Sequence, residues 1–415
     1  MIAVERMFSM DVVIERACGM DVHKDNITAC ILTPEGKETQ MFSTKTVFLL
    51  QLVDWIKQHN CTHVAMESTS VYWKPIVNLL EAEDIEFLVV NAQHMKAVPG
   101  RKTDVKDAEW IAKLLRHGLL KASYIPDRNQ RELRELVRYR RSIIEERARQ
   151  HNLIQKVLEG ANIKLGSVVL DVLGVSARDM LDAIADGEED PEKLANFVRR
   201  SMKKKEELEL ALKGYINSHQ RLMLKTILGH IDFLTEQIEM LDTEVADRVS
   251  SHQEDVSRLD SIPGIATRMA EQILSEIGTD VKKQFPTAAH MCSWAGLVPG
   301  QNESAGKRKS AKTKKGNKYL RSALTEAAHS VRGSKNYLGA LYRRTASRKG
   351  KKRAGIVVAH AMLRISYYFL TRKEMYVDLG EDNFDKQRQQ YIVRHSLRRL
   401  ESLGYTVTLE EPKAS

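Results

Sequence analysis

Apolar positions recur with two different periods along this chain, and the change from one to the other divides it. Up to about residue 117, short runs with strand character alternate with helical ones. The pattern predicts strands over residues 17–21, 27–32, 38–42, 63–66 and 86–90, and helices over 47–59, 71–82 and 104–116. From residue 128 onward the period is helical almost throughout. Leu133, Leu136, Ile143, Ile154 and Leu158 form an imperfect stripe that Arg140 and Arg147 interrupt. A cleaner stripe, Leu224, Ile227, Ile231, Leu234, Ile238, Leu241 and Val245, steps by three and four in strict alternation, the a/d seam of a coiled coil. An intramolecular hairpin and a pairing between two copies satisfy that pattern equally.

Three strands, then helix, strand, helix, strand, helix is the element order of a ribonuclease-H-like α/β domain. Acids stand where that order matters. Asp21 follows the first apolar run, Glu67 closes the fourth strand, and Asp104 and Asp107 open the last helix, on one face because they are three apart. Carboxylates gathered in one place repel one another unless a cation compensates them. Mg²⁺, which prefers carboxylate and phosphate oxygens, is the expected occupant. Taken singly, each acid has a structural alternative, such as helix capping for Asp104. Lone His23 is expected to be a surface or core histidine, and Tyr72 and Trp73 are expected to pack against the sheet.

The chain has 415 residues, 42% of them hydrophobic, enough for two or three domains. Its formal charge of +10 is unevenly placed. Residues 301–354 hold 17 Lys and Arg against Glu303 and Glu326, a local +15 that leaves the remainder slightly acidic. So concentrated a charge points to a polyanionic partner. The four cysteines, Cys18, Cys30, Cys61 and Cys292, have neither zinc-site nor disulfide spacing, which fits a reducing cytoplasm. The stretch 356–370 is apolar but interrupted by His360 and Arg364, so no membrane span is expected. The charged stretch 182–205 reads as a solvated helical surface ahead of a nucleic-acid contact.

Residues 259–266, followed by a predicted helix over 267–277, resemble a helix-hairpin-helix. Pro263 and Gly264 make its turn, whose N–H groups suit a phosphate; the alternative is an ordinary turn between helices. Downstream, Ser304 sits in a glycine-bounded loop with Lys307, Arg308 and Lys309 beside it and Lys315 beyond. The loop alone favours a serine that only hydrogen-bonds phosphate, because nothing local activates its hydroxyl.

Gly19-Met20-Asp21-Val22-His23-Lys24, Met66-Glu67-Ser68-Thr69 and Lys102-Thr103-Asp104-Val105-Lys106-Asp107-Ala108 resemble the DEDD motifs of the insertion-sequence-110 family of transposases, the bridge-RNA-guided recombinases. Ile262-Pro263-Gly264-Ile265, Trp294-Ala295-Gly296-Leu297-Val298-Pro299, Glu303-Ser304-Ala305-Gly306-Lys307 and Lys315-Gly316-Asn317 are similar to motifs of the same family's second half. The resemblance implies Mg²⁺ on Asp21, Glu67, Asp104 and Asp107, with Ser304 as nucleophile. Ala305 stands where the family often has glycine, which keeps Ser310 in play. It also implies target and donor DNA as substrates, a non-coding bridge RNA as guide, and dimers that assemble into tetramers in which one protomer's acids meet another's serine. A prokaryotic, nucleoid-associated location follows.

The expected organisation is therefore a RuvC-like DEDD domain over 1–125, a coiled-coil and linker region over 126–255, a mostly helical transposase domain over 256–372 and a tail over 373–415. The expected activity is a transposase or recombinase that cuts and rejoins DNA through a serine-phosphodiester link. A RuvC-type nuclease of branched DNA using water, and a non-catalytic nucleic-acid-binding protein, are the rival readings.

Overall fold

The computed structural model describes residues 11–68, 70–91, 104–198, 205–300, 303–304, 307–308, 312–387 and 389–408. The chain forms two compact units, Met1–Arg128 and Asn129–Ser415.

In the first unit the elements run β1 (Ala17–Val22), β2 (Asn26–Thr33), β3 (Gly36–Ser43), α1 (Thr46–Gln58), β4 (His63–Glu67), α2 (Trp73–Ala82), β5 (Glu86–Val90) and α3 (Asp104–Arg116). The sheet order is β3-β2-β1-β4-β5. β1 pairs antiparallel with β2, and β2 with β3, whereas β1, β4 and β5 are parallel. This is the ribonuclease-H-like arrangement that the element order predicts.

The central strands are apolar on both faces because both faces are covered. On one, Cys18, Met20, Val22, Val64 and Met66 join Leu52 and Ile56 of α1 and Ile76 and Leu80 of α2 in a single core. On the other, Ala17 and Ala65 meet Ile111 and Leu115 of α3, and Cys30 and Leu32 meet Ala108 and Ala112. Small residues let this helix approach closely. A Cβ at Gly19 would lie 2.3 Å from the Ala108 carbonyl oxygen and from the Ala112 nitrogen. Tyr72 and Trp73 pack against the first core, as the sequence suggests. The second helix begins at Trp73, two residues later than the periodicity predicts. Ser70 has φ of +50°, a left-handed conformation that ends any helical run, and its carbonyl accepts the Trp73 Nε1–H bond at 3.1 Å.

The second unit is built on two long helices, α4 (Arg128–Gly160) and α9 (Ser218–Val249). The clean stripe of α9 is buried along its whole length. Ile143 of α4 meets Leu234, Ile238 and Leu241, while Ile154 and Leu158 meet Leu224, Ile227 and Ile231. Rising numbers on one helix face falling numbers on the other, so the two helices are antiparallel and the stripe is filled within the chain. The two arginines that break the α4 stripe have partners there. Buried Arg140 ion-pairs with Asp242 at 2.9 Å and Glu271 at 2.7 Å, and Arg147 donates to Thr235 Oγ1 at 3.2 Å. Between them α5 (Leu165–Val168), α6 (Val175–Asp186), α7 (Pro191–Ala195) and α8 (Lys205–Leu212) close over one end of the pair around Leu165, Met180, Leu194 and Leu208. Surface ion pairs, Arg178–Asp232 and Lys225–Asp186, tie α6 to α9.

The remainder comprises α10 (Gln253–Asp260), α11 (Thr267–Ile277), α12 (Val281–Gln284), α13 (Ala288–Trp294), β6 (Glu303–Ser304), β7 (Lys307–Arg308), α14 (Lys318–Ser330), α15 (Tyr337–Lys349), α16 (Lys351–Arg372), α17 (Asn383–Gln387) and α18 (Gln389–Ser402). Among the described residues α16 is the one helix long and apolar enough to cross a membrane. Its Ala354, Val358, Met362, Leu363 and Leu370 are buried in this unit's core. Residues after Arg372 run back over it: Lys373 binds Asp255, the Tyr376 N–H donates to Ser261 Oγ, and Phe384 stacks on Tyr337.

Candidate active site

The acids sit where three elements of the first unit end. Strand alternation puts Asp21 on the same face of β1 as Gly19, the face that α3 covers. The parallel register pairs Met20 with Met66, so one step further Asp21 stands opposite Glu67, on the same face of the neighbouring strand. Along that face the chain passes Ala17 beside Ile111 and Leu115, then Gly19 beside Ala108 and Ala112. α3 therefore runs against β1, and its first turn, with Asp104 and Asp107, lies toward the strand ends that carry Asp21 and Glu67. The close approach at Gly19 fixes this alignment. Asp21 is only 13% exposed, and its Oδ2 is 3.0 Å from Nε2 of His23, a half-exposed surface histidine as the sequence suggests. Glu109, on another face of α3, holds Lys37 at 3.0 Å and Lys113 at 2.7 Å. Those bonds pull its carboxyl below the usual glutamate value.

Among the described residues no three His, Cys, Asp or Glu side chains are close enough to hold a metal ion. Asp21, Glu67 and Asp107 are all described and do not by themselves form such a group, whereas the Asp104 side chain lies outside what is described. The donor set itself is all carboxylate oxygen, which fits a hard divalent cation and not a soft one.

In the second unit the predicted helix-hairpin-helix segment is α10, a tight turn and α11. The Ile265 N–H donates to the Ile262 carbonyl at 2.9 Å with Gly264 at φ +88°, a type II turn with Pro263 and Gly264 in the positions that demand them. The same glycine presses on α14: a Cβ there would meet Ala327 O at 2.8 Å. Pro263 and Gly264 thus have a packing role whatever else they bind.

Ser304 lies on a hairpin. The Gly300 N–H donates to the Lys312 carbonyl at 2.9 Å, the Lys314 N–H to the Val298 carbonyl at 3.2 Å, and beyond them Ser304 pairs with Lys307 and Glu303 with Arg308. The structure gives these four residues' backbone pairing, while Lys309, Ser310 and the side chains of Ser304, Lys307 and Arg308 lie outside the described parts. At its foot the hairpin is clamped. A Cβ at Gly316 would come within 2.3 Å of the Gly296 nitrogen, so the Gly296 and Gly316 backbones touch only because both lack side chains. Lys315, exposed, sits beside this clamp.

Sequence reasoning missed the group that anchors the clamp. Glu276, fully buried at the end of α11, takes two bonds from Arg138 of α4 at 2.7 and 2.8 Å and one from Asn317 Nδ2 at 2.5 Å. Asn317 also caps α14, accepting the Tyr319 and Leu320 N–H groups, and Arg138 stacks over the Tyr319 ring at 4.2 Å. The only sequence signal was a glutamate on the apolar face of a helix, which has no meaning until its arginine is placed beside it.

Comparison with known proteins meets this geometry from a second direction. A family model described as a transposase, built on the DEDD motif, matches residues 18–163, and one described as Transposase IS116/IS110/IS902 family matches residues 256–343. The chain belongs to this family of transposases. The two matches cover both the acid-bearing sheet and the serine hairpin of the transposase, in that order. No curated protein matches the chain.

Proposed function

We propose that this transposase cuts and rejoins DNA by serine-linked strand transfer, with Asp21, Glu67, Asp104 and Asp107 as its acidic centre and Ser304 as its nucleophile. The observation that carries the reading is the placement of Asp21 and Glu67 side by side on the sheet face that α3 approaches with its two aspartates. The four carboxylates would hold Mg²⁺, which when bound supplies charge neutralisation at a phosphodiester. His23, bonded to Asp21, orients that carboxylate.

Ser304 Oγ attacks phosphorus, the bond to the 3′ oxygen breaks, the hydroxyl proton leaves with solvent or a carboxylate, and the freed 3′ oxygen is protonated. The resulting 5′-phosphoserine keeps the phosphodiester's energy, so rejoining by attack of another 3′-hydroxyl needs no ATP. Pro263, Gly264, Lys307, Arg308, Lys309 and Lys315 would contact backbone phosphates. A bridge RNA as guide and assembly through dimers to tetramers complete the reading; these rest on family likeness.

Protein, DNA and guide RNA incubated with Mg²⁺ are expected to yield a covalent protein–DNA adduct on a denaturing gel. Ser304→Ala should abolish it and Ser310→Ala should not. Free 5′-phosphates without an adduct would instead establish a water-using nuclease.

A further inference from the structure

Beside the hairpin that bears Ser304, the second unit opens into a groove of about 870 Å³, part of whose lining, Leu297 to Pro299, belongs to the motif over residues 294–299. One wall is the two hairpin arms, through Leu297 to Pro299 and Lys312 to Thr313, and the opposite wall is the junction of α15 and α16. Part of the lining is aliphatic: Leu297, Val298, Ile356 and Val357. The lining is also cationic, with Lys312 from the hairpin, Arg321 from α14 and Lys349, Lys352 and Arg353 from the helix junction, and among the described residues no acid lines it. Val357, one of the aliphatic lining residues, is 36% exposed.

That combination is selective. A purely electrostatic phosphate surface has no need of aliphatic lining, and an apolar docking groove has no need of five cations along it. A nucleic-acid strand with a base turned out of its stack presents both chemistries at once. The volume lies within the range of about 300–1,000 Å³ typical of ligand pockets, room for a few nucleotides. The groove also shares its wall with the hairpin of the proposed nucleophile, so a strand lying in it would run toward Ser304.

We infer that this groove holds single-stranded DNA flanking the cleavage point, its phosphates on Lys349, Lys352 and Arg353 and an unstacked base on Ile356 and Val357. The choice of DNA over RNA rests on the proposed function, because the strand beside the nucleophile is the one it attacks; the groove's affinity for an unpaired strand does not.

The test is fluorescence anisotropy on the full chain with a short oligodeoxythymidylate, a DNA duplex of equal length and the matching oligouridylate, each at several salt concentrations. The triple variant K349Q/K352Q/R353Q, all exposed residues, should weaken single-stranded DNA binding by about tenfold or more and lower its salt slope by about 2, from about 0.7 per phosphate contact. Val357→Glu should weaken single-strand binding with little effect on duplex. Equal losses on single strand and duplex, or no loss at all, would overturn the inference, as would a loss confined to the oligouridylate, which would make RNA the occupant. Ser304→Ala is read separately, in the adduct assay. If that variant still forms the adduct, the nucleophile assignment fails while the binding result stands.

Discussion

At the scale of single residues, the sequence exposed the acids but not their surroundings. Asp21, Glu67, Asp104 and Asp107 were legible because each ends or opens an element, and an ionisable group in that position is conspicuous against apolar neighbours. Glu276 was not legible, because its burial is compensated by Arg138 and Asn317, which are remote in sequence. Glu276→Ala would leave Arg138 and Arg134 facing a buried void, and is expected to cost about 3–5 kcal/mol. Urea denaturation should read this as a lower midpoint with unchanged slope. Asp21→Asn, by contrast, keeps the size of the side chain. It is expected to retain DNA affinity while losing cleavage, which a gel-shift assay beside a nicking assay would separate; a variant that still cuts would remove Asp21 from the acidic centre.

The elements followed the periodicity closely because both faces of the first unit's sheet are buried, which leaves few alternatives for β1, β2 and β4. What periodicity could not give was how near α3 comes to β1. That distance is set by Gly19, and Gly19→Ala is expected to destabilise by at least about 1–3 kcal/mol, since a helix backbone and not a side-chain tip must move. The same substitution should impair cleavage, because the helix bears Asp104 and Asp107. The edge strand β3 is tied to α3 through Lys37 and Glu109. Glu109 has a depressed folded-state pKa, so its stabilising contribution is complete above the unfolded glutamate value of about 4.3 and disappears as pH falls through the lower folded value. Thermal melts over the acid range should show Glu109→Gln less sensitive to pH than the parent chain. In the second unit, the α9 stripe was readable but its partner was not, since a three-four repeat specifies a seam and not whose helix fills it.

For the whole molecule, charge is the property with the widest reach. Nearly all the excess of Lys and Arg lies in the second unit, around the serine hairpin and the α15–α16 junction, while the acids proposed for catalysis lie in the first. A chain beginning at Asn129 is therefore expected to bind DNA with a salt dependence close to that of the full protein, and to be unable to cleave it. Titration at rising ionic strength would check this; a loss of binding on removing the first unit would show that the basic block is not the main grip.

The one-dimensional pattern determined which segments are strands and helices, the order that makes the first unit ribonuclease-H-like, and where the acids and the basic block stand. These are local properties, written in periods of two and 3.6 residues and in the residues that interrupt them. Only the tertiary structure decided that α4 and α9 pack against each other, that Gly296 meets Gly316 beneath the serine hairpin, that Glu276 anchors that hairpin, and that Lys349, Lys352 and Arg353 line one groove with Leu297 and Val298. Each of those depends on which distant segment arrives at a given place. No local pattern carries that information, because the energy that selects it comes from packing and from pairing buried charges across the fold.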